Sequence, residues 1–179
     1  ISLSSRNHPD ASDFAGEIYG RILALGRAHA FIGSRGSIGA RPQDVSLKGI
    51  LTEIFAPYLD DQTQRMRIGG DDIAIDDRSA TPLALVFHEL ATNSAKYGAI
   101  ANENGTVQIM LVAGDPVRMK WLETGIGASG KKSTSGFGSR LIEMSIERQL
   151  GGEYAKHWTN GDLQIEIAIP RKNLSRDLI

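Results

Sequence analysis

The stretch of residues 81–100 constrains the fold more than any other part of the chain. Its apolar residues recur at intervals of three and four, which predicts an amphipathic helix with one buried side. Pro82 suits the first turn of such a helix. On the other side, Glu89, Asn93 and Lys96 stand at i, i+4 and i+7, so a carboxylate, an amide and an ammonium share one face. That face is either a solvated surface or part of a functional site.

The composition sets limits on partners and compartment. The chain has 179 residues, of which 41% are hydrophobic, enough for one core and an appendage. Its formal net charge of −1 gives no electrostatic preference for a nucleic acid or an anionic membrane, so we expect neither as a partner. The absence of cysteine excludes disulfides and thiolate metal sites. Without a signal peptide or an apolar run of membrane length, we expect a cytoplasmic protein.

The first 34 residues predict one long amphipathic helix after a break at His8-Pro9, with Asp10 or Ser12 as the N-cap. We expect the partner of its apolar stripe to lie before Ile1, in a longer protein. A Gly- and Ser-rich segment, 33–41, follows, and we place the boundary there: residues 35–42 as linker and 43–179 as the main domain. The stripe comprises Phe14, Ile18, Ile22, Leu25, His29 and Ile32.

The main domain alternates helical and strand patterns. Ser46 is a candidate cap for a helix that runs to about Leu59. Residues 64–68 and 73–75 predict a hairpin turned at Gly69-Gly70, and the acids around it are interpreted as solvated turns rather than a calcium loop. These acids are Asp71, Asp72, Asp76 and Asp77.

Four further strands are predicted after the central helix. Their ranges are 106–112, 117–122, 153–158 and 163–169, and the last two flank Asn160-Gly161, a strong hairpin signal. A helix is predicted between the two strand pairs, beginning near Gly136 and ending at Gly151-Gly152.

The second of these strands leads into Glu123, which two glycines follow, Gly125 and Gly127. A carboxylate at this position could accept a hydrogen bond from the amino group of adenine, and glycines would let the backbone approach the ring. An ordinary turn fits the same residues.

A second glycine-rich segment opens the next helix. Gly136 and Gly138 would expose backbone N–H groups at a helix N-terminus, which suits phosphate, and Lys131, Lys132 or Arg140 could add charge. The alternative is that the glycines are there only for steric reasons at the start of the helix. Neither a P-loop nor a dinucleotide-binding glycine pattern occurs.

Taken together, these motifs resemble the ATP-binding domain of the GHKL superfamily, and within it the HWE and HisKA_2 histidine kinases. His-Glu-Leu-Ala-Thr-Asn at 88–93 with Lys-Tyr-Gly at 96–98 resembles the family's N box. Trp121 and Glu123 resemble its Trp and Glu, and residues 136–143 its second glycine box. The first glycine box departs from the pattern, reading Gly-Ile-Gly-Ala at 125–128, and Glu123 stands where other GHKL proteins have Asp.

The resemblance implies an α+β fold: a two-layer sandwich of the GHKL (Bergerat) type, with a mixed, mostly antiparallel sheet, helices on one face and an additional N-terminal helix. It implies ATP and Mg²⁺ as cofactors, with Asn93 as the metal ligand. Glu89, His88 and Lys96 are the implied catalytic group, with Glu89 as base or organiser of metal-bound water and His88 as an orienting residue. The implied nucleotide-binding residues are Asn93, Tyr97, Trp121, Glu123, Gly125, Gly127, Lys131, Lys132, Gly136, Phe137, Gly138, Ser139 and Arg140.

The family's phosphoacceptor pattern, His-Arg-x-Lys-Asn, is missing from this chain. Residues 11–34 resemble the second helix of the family's hairpin, so the acceptor is expected upstream of Ile1. The implied partners are a response regulator receiver domain, an upstream sensor domain with the phosphoacceptor helix, and a second copy of the chain. Two alternatives stay open: a protein that acts mainly as a phosphatase or docking scaffold, and a GHKL ATPase or serine switch kinase.

Overall fold

The computed structural model describes residues 9–35, 45–58, 65–126 and 137–175, and side chains from residue 15 to residue 33 in the first of these ranges. In chain order the regular elements are α1 (Pro9–Arg35), α2 (Leu47–Phe55), β1 (Met66–Gly70), α3 (Asp77–Tyr97), β2 (Thr106–Val112), β3 (Val117–Thr124), α4 (Phe137–Glu143), β4 (Glu153–Thr159) and β5 (Asp162–Ile169). A π-helical turn, Met144–Gln149, continues α4. The expected linker, residues 35–42, lies almost entirely outside the described residues.

The five strands form one mixed sheet in the order β1-β2-β3-β5-β4. Only β1 and β2 run parallel; the other three pairings are antiparallel. Side chains alternate between the two faces, and in β2 every second residue is buried. The register aligns Ile109, Trp121 and Ile165 across three strands, and these side chains form one core with the buried sides of α2 and α3. The predicted α+β sandwich is confirmed.

The sequence signals for α2 and for the last hairpin are confirmed. The Ser46 side chain accepts a hydrogen bond from the Gly49 N–H and caps α2. The helix ends at Phe55 rather than near Leu59 because Pro57, with no N–H, favours a short 3₁₀ turn there. Asn160 and Gly161 both have positive φ, 52° and 90°, as a two-residue hairpin turn requires.

The hairpin predicted at Gly69-Gly70 is wrong. The backbone of Gly70 has φ 89° and packs against that of Leu111, and the Asp71 N–H donates to the Leu111 carbonyl. The chain then leaves the sheet, and Ala74 forms an isolated bridge with Ser46 instead of returning along β1. Strand β1 instead pairs in parallel with β2. Sequence periodicity could not indicate this pairing.

The acids near this segment have structural roles beyond solvated turns. Asp71 accepts a hydrogen bond from the Ala113 N–H, and Asp76 caps α3 by accepting from the N–H groups of Arg78 and Ser79. Because α3 begins at Asp77, Pro82 lies inside the helix and not in its first turn. Among the described residues, no three acids or histidines are grouped as a metal would require.

The predicted N-terminal helix is confirmed, but its caps and its packing differ from expectation. Asp10 lies inside α1, which begins at Pro9. Small residues, Ala24 and Ala28, are buried on its inner side, and α1 packs against α2 and α3, while Ile22 is 59% exposed. No helix in the described ranges is long and apolar enough to cross a membrane.

Candidate functional site

A cleft opens between the C-terminal half of α3, the start of α4 and the edge of the sheet. The empty space among its lining residues, including the open mouth, is about 480 Å³. The cleft brings together Asn93, Tyr97, Glu123 and Ser139 of the predicted site. The residues that line it are Leu90, Asn93, Tyr97, Gly98, Glu123, Ser139, Ile142, Tyr154, Lys156, Trp158, Leu163 and Ile165.

Glu123 forms the polar floor of this cleft. It is 2% exposed, and three donors hold its carboxylate. Oε2 accepts from the Ser94 hydroxyl at 2.9 Å and from the Ala99 N–H at 2.7 Å, and Oε1 accepts from the Trp121 indole at 2.8 Å. Since each carboxylate oxygen can accept about two hydrogen bonds, Oε1 keeps capacity for one further donor.

Gly98 and Trp121 position this carboxylate from opposite sides. A Cβ at Gly98 would collide with Glu123 Oε2 and lie 2.8 Å from Ser94 Cα, so no larger residue fits without displacement. Trp121 is 1% exposed and packs edge-on against Phe55. The sequence hypothesis placed Trp121 among the nucleotide-binding residues, but in the structure it is buried in the core beside Glu123 and is not among the residues that line the cleft.

A second region, the α1–α3 interface, holds the three predicted catalytic residues, Glu89, Lys96 and His88. Arg21 of α1 donates to both oxygens of Glu89, at 2.7 and 3.1 Å, as a bidentate pair. Lys96 donates to Glu17 at 2.7 Å. These hydrogen bonds raise the pKa of Arg21 and lower the pKa of Glu17. Glu89 is 4% exposed, so its charge is compensated from α1 rather than by water.

His88 lies at the same interface and outside the cleft. It is 6% exposed, and burial lowers the pKa of its imidazole; Arg27 and Arg21 lower it further, while Glu89 raises it. Its Nδ1 is buried without a hydrogen-bond partner among the described residues. A Cβ at Gly20 would lie 3.3 Å from Nε2. The neutral ring therefore packs beneath α1.

The start of α4 lies beside Glu89 and joins the two regions. A Cβ at Gly138 would lie 2.5 Å from Glu89 Oε2, and the Arg21 guanidinium lies 5.0 Å from the Phe137 ring centroid. Arg140 is exposed and does not line the cleft. Gly125 has φ 74°, which its predicted turn requires. Four predicted residues lie outside the described ranges: Gly127, Lys131, Lys132 and Gly136.

Sequence reasoning missed the outer wall of the cleft. Tyr154, Lys156 and Trp158 alternate along β4, so they share the face that turns toward α4. The alternation of these residues in the sequence was the signal that could have indicated a shared face. Burial raises the pKa of Tyr154 to about 12, and burial lowers the pKa of Lys156, while Glu123 raises it. The partners of Glu89 and Lys96 were also missed, because they are distant in sequence.

Comparisons with known proteins agree with this geometry. A model of the family described as HWE histidine kinase matches residues 1–72. A blue-light-activated histidine kinase from Rhizobium johnstonii is 32% identical over 167 residues, covering 92% of this chain and 46% of the relative. Blue-light-activated histidine kinase 1 from Erythrobacter litoralis is 32% identical over 176 residues, covering 95% and 47%. The chain thus spans about half the length of these relatives.

A solved structure extends the likeness to the fold. The histidine kinase domain of the Erythrobacter litoralis EL346 blue-light activated histidine kinase superposes with a TM-score of 0.66, covering 97% of this chain and 88% of that chain at 18% identity. The α+β fold matches that of a histidine kinase domain, and the resemblance to HWE histidine kinases is confirmed.

Proposed function

Because this chain is related to the HWE histidine kinases, we propose that it is the ATP-binding catalytic part of a two-component sensor histidine kinase. The observation that carries the proposal is the shared cleft. Side chains from the N box (Asn93, Tyr97), from the end of β3 (Glu123) and from the second glycine box (Ser139) line one cleft. Residues of three sequence motifs that are far apart in the chain thus meet at one site.

Glu123 is proposed to bind the adenine base. The free acceptor capacity of Oε1 suits the exocyclic amino group, and the three internal donors fix the carboxylate before the ligand arrives. A charge-assisted hydrogen bond of this kind contributes about 1.5–3 kcal/mol. The ring would then lie between the side chains of α3 and those of β4, with Tyr97 near the ribose or phosphates.

Asn93 is proposed to hold Mg²⁺ through its side-chain carbonyl. Mg²⁺ commonly binds one or two protein oxygens together with substrate phosphates and waters, so the lack of an acidic cluster in the described ranges fits this chemistry. When bound, the ion neutralises charge on the phosphates. Asn93 lies in the cleft one helical turn after Glu89, which suits the proposed role of Glu89 in ordering metal-bound water.

The proposed reaction transfers the γ-phosphoryl group of ATP to a histidine upstream of Ile1, and then to an aspartate of a response regulator. Lys96 would neutralise phosphate oxygens, the segment 136–138 would cradle them, and Glu89 would act as base. In the structure Arg21 and Glu17 of α1 engage Glu89 and Lys96. These pairs must open before either residue can act, so α1 has to move, with residues 33–41 as the proposed hinge.

Further partners follow from the same family. We propose an upstream sensor domain that controls α1, a receiver domain as the phosphoryl acceptor, and pairing of two copies through the family's helical hairpin. For the 179-residue chain alone we expect nucleotide binding without autophosphorylation. A phosphorylated product from this chain by itself would contradict an upstream acceptor.

Calorimetric titration of ATP with Mg²⁺ tests the site. We expect the chain to bind, and Asn93→Ala to bind at least about tenfold more weakly, the loss of one charge-assisted contact. Chelating Mg²⁺ should remove most of that difference. Gln108→Ala, an exposed amide truncation on β2, is the matched control and should bind like the wild type. Equal binding by Asn93→Ala and wild type in Mg²⁺ would count against the metal role.

A further inference from the structure

The outer wall of the cleft carries a cation that no predicted motif accounts for. Lys156 is the middle residue of the row Tyr154, Lys156 and Trp158 on β4, and it lines the same space as Glu123. The other side chains of this wall, Leu163 and Ile165, are apolar. The Lys156 side chain is exposed, so its ammonium group can reach a molecule that enters the cleft.

Contacts with the other described residues do not occupy this ammonium group. Its Nζ lies 5.5 Å from the centroid of the Trp158 ring, and among the described residues it donates no hydrogen bond. It forms no ion pair with Glu123 either, although Glu123 raises its pKa and burial lowers it. The hydrogen bonds that Glu123 accepts come instead from Ser94, Ala99 and Trp121. The three donors of the ammonium are therefore available to a molecule in the cleft.

We propose that Lys156 is a base-recognition residue, donating a hydrogen bond to a ring nitrogen of adenine while Glu123 accepts from its amino group. The inference rests on the proposed function and deepens it. Adenine presents a donor, the amino group, beside acceptor ring nitrogens on both neighbouring edges. Glu123 offers only acceptors and Lys156 only donors, so together they complement that pattern. The Trp158 ring lies beside the ammonium, and Tyr154 and Trp158 line the same cleft, where aromatic rings suit contact with the face of a base.

The test compares Lys156→Met with the matched control Lys120→Met, which makes the same change on the exposed face of β3. The affinity of the 179-residue chain is measured for ATP, 1-deaza-ATP and 7-deaza-ATP. We expect Lys156→Met to weaken ATP binding about tenfold, as expected for loss of a charge-assisted hydrogen bond. For the analogue that lacks the contacted nitrogen, Lys156→Met and wild type should bind within about twofold of each other. Lys120→Met should match wild type throughout.

The outcomes separate this inference from the proposed function. If the wild type does not bind ATP, the proposed function fails and this inference fails with it. If the wild type binds but Lys156→Met binds all three nucleotides equally well, the role of Lys156 is wrong and the proposed function stands. Equal weakening for ATP and both analogues, with no effect on adenosine, would assign Lys156 to the phosphates and also overturn the inference.

A stability measurement distinguishes recognition from a structural role. Removing an exposed charge that donates no hydrogen bond to the described residues should not lower the thermal midpoint of the ligand-free chain, because Met keeps the length and apolar contacts of the side chain. We therefore expect Lys156→Met to be at least as stable as the wild type while it binds ATP more weakly. A lower midpoint in parallel with weaker binding would indicate that Lys156 supports the fold, and would overturn the assignment.

Discussion

The cleft and the α1–α3 interface are built on the same helix but treat their charged groups in opposite ways. In the cleft, Glu123 is fixed by internal donors, and its Oε1 keeps capacity for one further hydrogen bond. At the interface, Glu89 and Lys96 are engaged by Arg21 and Glu17. A carboxylate that is already held in place and can accept one more hydrogen bond can bind a ligand at once. A charged group in an ion pair must first leave its partner. Base recognition should therefore be independent of α1, and phosphoryl chemistry should depend on its position.

The largest expected effect comes from damage to the cleft itself. Gly98→Ala places a Cβ against the Glu123 carboxylate and Ser94 Cα, so we expect the free energy of unfolding to fall by at least about 3 kcal/mol and adenosine binding to be lost. Denaturant unfolding and adenosine titration measure the two effects. Gly26→Ala is the control: nothing lies within 4 Å of its Cβ position on α1, and alanine should stabilise the helix by up to about 1 kcal/mol. Normal adenosine affinity in Gly98→Ala would contradict the role of this packing.

A smaller effect is expected when the interface is opened. Arg21→Met leaves the Glu89 carboxylate without its cation, a change that costs about 3–5 kcal/mol at a fully buried pair. The cost here should be nearer 1–2 kcal/mol, because α1 can separate and let water reach Glu89. Amide hydrogen exchange should show reduced protection along α1, while adenosine affinity stays within about twofold of wild type. The exposed residue Arg118 provides the control, Arg118→Met. A parallel loss of adenosine binding would show that the two regions are not separable.

The smallest effect is a pH dependence of the interface. The pKa of His88 is lowered in the folded chain by burial and by Arg27 and Arg21, against the opposing effect of Glu89. Between the ordinary histidine pKa of about 6.5 and this lowered value, the unfolded chain binds more protons, so the free energy of unfolding declines as the pH falls through that window.

Denaturant unfolding from pH 7 to pH 5 measures this decline. His88→Gln should flatten it, whereas His157→Gln, on the exposed part of β4, should leave it unchanged. An identical pH profile for His88→Gln and wild type would mean that His88 does not titrate differently in the folded chain.

Much of the fold could be predicted because its signals are local. The Ser46 cap, the turn at Asn160-Gly161 and the alternation in β2 and β3 each depend on residues within a few positions of one another. The order of the motifs was sufficient to indicate the family. The pairing of β1 was predicted wrongly because a parallel partner lies about 40 residues away, and a Gly-Gly pair between two apolar runs is the normal mark of a hairpin.

In the candidate site, too, local sequence patterns predict some features, and only long-range packing explains the others. The sequence by itself determined that Glu89, Asn93 and Lys96 share one helix face and that Glu123 precedes a glycine turn, since helix and strand periodicity fix which neighbours lie together. Only the tertiary structure decided that Arg21 pairs with Glu89 across 68 positions, that Trp121 lies beside Glu123, and that Lys156 lines the cleft. Periodicity defines the faces of an element, but what covers each face depends on long-range packing.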